Sequence, residues 1–249
     1  MFDATLTGLD FSRASANYAS HASLQAKIGK ELVARALPYM AKDALLLDVG
    51  AGPGDVTRSW GRRALALDAA FGMCREAGKK GLSAIQARAE HLPLADEAVD
   101  AVVSNLMLQW LPAPRSFFAE AERVLKPSGV LAISNFAHGT LHELAKAFDS
   151  CGERHRMSEF VPEAILKDQV QAAGLEIITT HVETITEHYA DMLDLFVYLR
   201  DIGAVNKRID RPRGMLTMRK LREVSGHYPR TSQGIPASWV AQIVIARKP

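Results

Sequence analysis

Between Ala44 and Phe136, short apolar runs alternate with segments of helical period. The runs at 44–48, 64–68, 84–88, 99–105 and 130–136 read as strands, each bounded by Gly, Pro or Asp. Alternation of this kind predicts a parallel sheet covered on both faces, the α/β doubly wound class. A helix over about 116–125 is expected to end at the Pro127–Gly129 turn, which then starts the fifth strand. Beyond Phe136 the pattern changes. A helix over about 162–173, stopped by Gly174, precedes a β-rich run from Leu175 to Glu187, and a last strand lies near Trp239–Ala246. Between these two runs, Tyr189–Pro236 is helical and basic. No internal repeat or low-complexity tract interrupts the chain.

Composition narrows the class only a little. The 249 residues, 48% of them hydrophobic, suit one domain with an elaborated second part. No apolar run approaches the ~20 residues of a membrane helix, and Asp3 and Asp10 stand where a signal peptide would be basic. A cytoplasmic protein without membrane association is expected. Cys74 and Cys151 have neither metal-ligand spacing nor a C-x-x-C arrangement, so they read as reduced thiols, and no metal site is expected.

Sheets of this class bind ligands beyond the carboxyl ends of their strands, where the strand order reverses. The segments to inspect are therefore Asp48–Gly54, Asp68–Met73, Arg88–Leu92 and Ser104–Trp110. The first is the most informative: the buried run Leu45–Val49 enters Gly50-Ala51-Gly52-Pro53-Gly54, and Asp68 follows fourteen residues later at the tip of the next strand. Glycines let a backbone approach a ligand closely, and a carboxylate on the second strand accepts from ribose hydroxyls. An adenosine cofactor is implied. The nicotinamide fingerprint G-x-G-x-x-G fails, because Asp55 stands at its third glycine.

The pattern present, D-x-G-x-G-x-G from Asp48, resembles motif I of the class I S-adenosylmethionine-dependent methyltransferases, whose turn wraps the amino-acid end of the cofactor. An ammonium there gives the acidic Asp48 a partner. That resemblance implies a mostly parallel, Rossmann-like seven-stranded sheet with an antiparallel last strand. An insertion before that strand would emerge at a sheet end as a helical lid.

Charge is concentrated in this insertion. From Lys207 to Arg222, seven basic residues (Lys207, Arg208, Arg211, Arg213, Arg219, Lys220, Arg222) accompany one acid, Asp210, for a charge of +6; the remaining 23 basic and 27 acidic residues give −4. Such a run reads either as a solvated face or as a dock for an anionic macromolecule. Without interleaved aromatics to stack bases, an acidic carrier protein fits better than nucleic acid. At the other end, Asp10–Tyr18 opens a helix with Ser12 at its N-cap, and Tyr18, His21 and Gln25 share one face of it. Three hydrogen-bonding side chains on one stripe either dress an amphipathic helix or line a pocket.

Several blocks together are similar to the malonyl-acyl-carrier-protein O-methyltransferases of biotin synthesis. They are Phe11-Ser12-Arg13 with Tyr18, His21 and Gln25; the Asp48–Gly54 turn; Ala89–Leu94; Ser104–Trp110; Arg123–Pro127; Gly139–Leu144; and Leu199–Ala204. The similarity runs nearly end to end. The glycine turn and Leu-Lys-Pro mark only the wider class, whereas Tyr-x-x-His-x-x-x-Gln, Ser-Asn-Leu-x-Leu-Gln-Trp and Leu-Arg-x-Ile-Gly-Ala are more specific. The resemblance implies three regions: an N-terminal helical cap (1–40), a cofactor-binding core (41–188 and 237–249) and a basic lid (189–236) that recognises the carrier protein through the seven basic residues. It implies that Gln25 and Ala69 bind the cofactor, that Asp48, Gly50, Gly52 and Gly54 hold the methionine end, that Asp68 takes the ribose and that Met73 packs on adenine. Ala89 and Glu90 would read the adenine edge, and Asn105 and Leu106 would close the pocket. One departure is notable: Arg88 stands where such enzymes usually have the Asp that accepts from the adenine amino group.

The implied chemistry is methyl transfer to the free carboxylate of a malonyl thioester on acyl carrier protein. That carboxylate is ionised near neutral pH, so no general base is needed. Alignment and exclusion of water are what the site must supply. Arg200 is the candidate clamp, since a guanidinium matches a carboxylate bidentately, with Tyr18 and His21 orienting the substrate. A monomer is expected. The competing readings are a methyltransferase of the quinone or small-acid type, which would leave the basic lid and Arg200 unexplained, and a non-catalytic interaction protein keeping the cofactor fold.

Overall fold

The computed structural model describes residues 23–61, 63–111, 113–152, 160, 162–201 and 217–249. Helix α1 (Ser23–Ala36) leads into β1 (Leu46–Val49), whose four residues are all buried. There follow α2 (Asp55–Trp60), β2 (Ala64–Asp68), α3 (Phe71–Lys79), β3 (Ser83–Gln86), β4 (Val99–Asn105), α4 (Pro114–Val124) and β5 (Leu125–Phe136). The remainder is α5 (His142–Ser150), α6 (Glu163–Ala172), β6 (Glu176–Tyr189), α7 (Met192–Asp201), α8 (Met218–His227) and β7 (Ile235–Arg247). The seven strands form one sheet in the order β3-β2-β1-β4-β5-β7-β6, with β7 antiparallel to both its neighbours and the other pairs parallel. The strand order reverses between β1 and β4. That is where the glycine turn emerges.

Alternation of side chains sorts the core onto two faces. Leu131 and Ile133 of β5 pack with Phe117 and Phe118 of α4 and Leu166 and Val170 of α6. Val130 and Ala132, pointing the other way, pack with Leu32 and Val33 of α1 and Val56 and Trp60 of α2. A third cluster caps the carboxyl end of the sheet, joining Leu24 and Ile28 of α1, Leu106, Phe136, Tyr198 and Leu199 of α7, Val224 of α8 and Trp239 of β7. Helices from both flanking regions thus meet the core in this one cluster.

The expected strands are present, with 44–48 and 84–88 observed as Leu46–Val49 and Ser83–Gln86, and larger differences elsewhere. The Pro127–Gly129 turn does not start β5 but lies within it: pairing jumps from Val99↔Leu125 to Ala101↔Val130, with Ser128 at φ 63° and bonded to the carbonyl of Lys248. A bulge keeps the ladder going where the sequence signals a stop. Helix α4 begins at Pro114, two residues before its expected start, because proline needs no amide partner in a first helical turn. Strands β6 and β7 pair from Glu176↔Arg247 to Tyr189↔Ile235, beyond the expected 175–187 and 239–246. The glutamates of β6, Glu176, Glu183 and Glu187, are polar positions of the kind an edge strand carries.

Candidate active site

Past Val49 the chain folds over the end of β2. The amides of Gly50 and Ala51 both donate to the Leu67 carbonyl (2.8 and 3.0 Å), and Asp68 accepts from the amides of Gly52 (2.9 Å) and Ala70 (2.8 Å). The carboxylate at the tip of β2 therefore holds the glycine turn. Gly50 (φ 73°) and Gly54 (φ 81°) occupy left-handed conformations, and a β-carbon would collide with Met107 at the first and Leu82 at the second. At Gly52 the same direction is open space. A cleft lies there, lined by Gln25, Asp48, Gly50, Gly52, Val56 and Asn105 among others.

Two acceptors in this cleft are buried without a partner, Oδ1 of Asp48 and Oε1 of Gln25. Asp48 is only 1% exposed. Burial pushes its carboxyl up to about 7, the hydroxyl of Thr57 (donating to Oδ2 at 2.6 Å) opposes that rise, and the nearby negative charges of Asp68 and Asp55 add to it. Burial also raises Asp68, against the two amides that lower it. Unsatisfied acceptors facing one cleft cost free energy until a donor arrives. The ammonium of an amino-acid moiety is such a donor, and each Asp68 oxygen retains a lone pair for a hydroxyl. The cleft fits S-adenosylmethionine.

The other expected residues fall as follows. Asn105, at the end of β4, donates from Nδ2 to the Gln25 carbonyl (3.0 Å) and accepts at Oδ1 from the hydroxyl of Ser134 (2.7 Å). Leu106 follows it, buried, at φ 55°. Met73 is buried near the start of α3, Ala89 is buried and Ala69 exposed. Arg88 reaches to Glu90 (3.0 Å), whose side chain is nearly enclosed. Arg200 is exposed near the carboxyl end of α7, and Arg219, Lys220 and Arg222 lie on α8, with Lys220 ion-paired to Glu223 at 3.2 Å. Tyr18, His21, Lys207, Arg208, Arg211 and Arg213 lie outside the described residues.

Some residues with a part in the site had no role in the sequence reading. Thr57, which holds Asp48, stands nine positions after it on the buried side of α2. Ser134 follows the apolar run Val130–Ile133 of β5, and nothing in the sequence says which group its hydroxyl meets. Arg123 opened one of the blocks that carry the family resemblance, with no role assigned, yet it anchors the segment after Ala89 and Glu90. It donates to the carbonyls of Leu92 (3.1 Å) and Leu94 (2.9 Å) and to the carboxylates of Asp96 and Glu120, while Glu120 accepts from the Leu92 amide. Its carboxylate partners raise its pKa further.

A sheet of this order with an Asp-x-Gly-x-Gly-x-Gly turn at its switch point defines a class I methyltransferase, with S-adenosylmethionine as methyl donor. The family model for a methyltransferase domain matches residues 47–133. A Bacillus halodurans protein solved as a candidate methyltransferase has the same fold (TM-score 0.64, 18% identity, 87% of this chain and 98% of that one). The malonyl-[acyl-carrier protein] O-methyltransferase of Methylococcus capsulatus is 32% identical over 254 residues, covering 97% of this chain and 92% of that protein. The enzyme of the same name from Serratia marcescens is 32% identical over 92% of this chain and 90% of its own length. The chain belongs to the malonyl-[acyl-carrier protein] O-methyltransferase family. Among the described residues no helix is long and apolar enough to cross a membrane, no cluster of side chains could hold a metal ion, and Cys74 and Cys151 are free thiols.

Proposed function

We propose that this enzyme methyl-esterifies the free carboxylate of a malonyl thioester carried on acyl carrier protein, a step of biotin synthesis. The observation that carries the reading is similarity along nearly the whole chain, flanking regions included, to enzymes with that name. The cofactor half alone would fit many acceptors; the flanking segments select among them.

In this reading Gln25, Asp48, Gly50, Gly52 and Gly54 hold the methionine end, Asp68 and Ala69 the ribose, and Met73, Ala89 and Glu90 the adenine. Asn105 and Leu106 close the cleft. The bound cofactor supplies a methyl group made electrophilic by its sulfonium. Arg200 grips the malonyl carboxylate unevenly, so that one oxygen keeps a free lone pair, because symmetric pairing would withdraw density from the nucleophile. Tyr18 and His21 orient the acid and exclude water. The basic residues 207–222 dock the acidic carrier, and the enzyme acts as a cytoplasmic monomer.

The test is transfer of labelled methyl to malonyl-carrier protein, malonyl-coenzyme A, free malonate or no acceptor. Carrier-dependent transfer is expected; cofactor binding without transfer to any of them would overturn the reading. Arg200→Ala should lose most activity while calorimetry still finds cofactor binding. Abolished cofactor binding with activity retained at saturating cofactor would exclude the clamp role.

A further inference from the structure

The cap helix α1 is fastened to the cofactor cleft by a chain of hydrogen bonds whose directions are forced. The Gln25 backbone carbonyl can only accept, so the Asn105 atom facing it at 3.0 Å must be the NH2 group. Oδ1 of Asn105 must then face Ser134, whose hydroxyl donates to it at 2.7 Å. A lone pair of that hydroxyl takes the Leu106 amide at 3.1 Å. Ser134, fully buried, therefore fixes which way the Asn105 amide points.

A second feature meets at the same place. A β-carbon on Gly29 would come within 2.6 Å of Val56 Cγ2 and 3.1 Å of Asn105 Nδ2. Only a residue without a side chain lets α1 lie this close to α2 and to Asn105. Gln25, one helical turn before Gly29, and Ala26 beside it form a wall of the cleft, opposite Asp48 and the glycine turn. The seat at Gly29 and the bond at Gln25 hold that wall in place.

We propose that Ser134 is a positioning residue of the cofactor site: through Asn105 it locks α1 against the glycine turn, and so sets how tightly S-adenosylmethionine and its product are held. Ser134 itself touches neither. Its loss leaves the β5 ladder intact, because the Leu106 amide also bonds to the Ser134 carbonyl at 3.1 Å. What disappears is the constraint on the Asn105 amide, which is then free to turn and release the Gln25 carbonyl.

The proposal rests on assigning the cleft to the cofactor, so Asp48→Asn serves as a separate control. The experiment measures S-adenosylhomocysteine affinity and dissociation rate, KM for cofactor and acceptor, and thermal unfolding for Ser134→Ala, Asn105→Ala and the double variant. Ser134→Ala should weaken product binding roughly 3- to 10-fold, the worth of one lost hydrogen bond. The change should appear in the dissociation rate and the cofactor KM, with the acceptor KM unmoved. The double variant should match Asn105→Ala alone. Unchanged cofactor affinity in Ser134→Ala, or effects of the two single variants that multiply, would overturn the proposal. Should Ser134→Ala not fold, Gly29→Ala, which pushes α1 away from Asn105, must speed product release; an unaltered release rate counts against the latch. Wild-type product affinity in Asp48→Asn would instead refute the cleft assignment.

Discussion

Asp48 is a carboxyl kept near its titration point at neutral pH by burial, with a hydroxyl on one oxygen and nothing on the other. Above the usual carboxylate pKa of about 4, the unfolded chain has lost the proton that the folded, unliganded protein still holds there. This group's contribution to stability therefore falls as the pH rises from about 4 to about 7. An ammonium beside Oδ1 favours the ionised form, so ligand affinity rises with pH over the lower range and levels off above about 7. We expect S-adenosylhomocysteine to bind more weakly as the pH drops below 7, by up to about tenfold per unit. 5′-Methylthioadenosine, without the amino-acid moiety, should show no such dependence, and Asp48→Asn should abolish it; calorimetry across a pH series reads all three. Asp55 and Asp68 are the charged neighbours, and both act to keep Asp48 protonated in the empty cleft. The sequence already pointed to Asp48, Gly50, Gly52 and Asp68, because glycines and acids at strand ends carry their own signal. It could not point to Thr57 or Ser134, whose roles depend on partners 9 and 29 positions away.

At the scale of elements, strand periodicity carried most of the reading because buried parallel strands are apolar on both faces. Its errors fall where one local rule met a tertiary one. Pro127-Ser128-Gly129 is a turn by composition, yet it sits inside β5 as a bulge because both flanks find partners on β4 and the Ser128 amide bonds to Lys248. The insertion was expected to run to Pro236, but β7 already begins at Ile235. Helix α8 presents Arg219 and Arg222 to solvent while Val224 anchors it in the cluster at the sheet end. If this helix docks a carrier protein, Arg219→Glu with Arg222→Glu should raise the KM for the carrier-bound substrate far more than for a malonyl thioester on a small thiol. Steering by exposed charge should also make that difference shrink as salt is added. Equal effects on the two substrates would remove α8 from the docking surface.

The whole molecule joins a sheet covered on both faces to a third apolar cluster that recruits α1, α7 and α8 to its carboxyl end. Phe117 and Phe118 of α4, both fully buried, fill the face away from α1. Phe117→Ala should cost about 3–5 kcal/mol in urea unfolding, through lost transfer energy and the cavity left behind. The cofactor affinity of the molecules that remain folded should be unaltered, since neither phenylalanine lines the cleft. The sequence by itself determined the strand alternation, the glycine turn with its two carboxylates and the uneven charge of the insertion, because each is a local pattern with a local physical cause. Only the tertiary structure decided that β7 lies between β5 and β6, that Asp68, expected at the ribose, also holds the glycine turn, and that α1 closes on the cleft through Gly29, Asn105 and Ser134. Those contacts join residues far apart in the chain, and their energies exist only once burial has removed the water that would otherwise satisfy them.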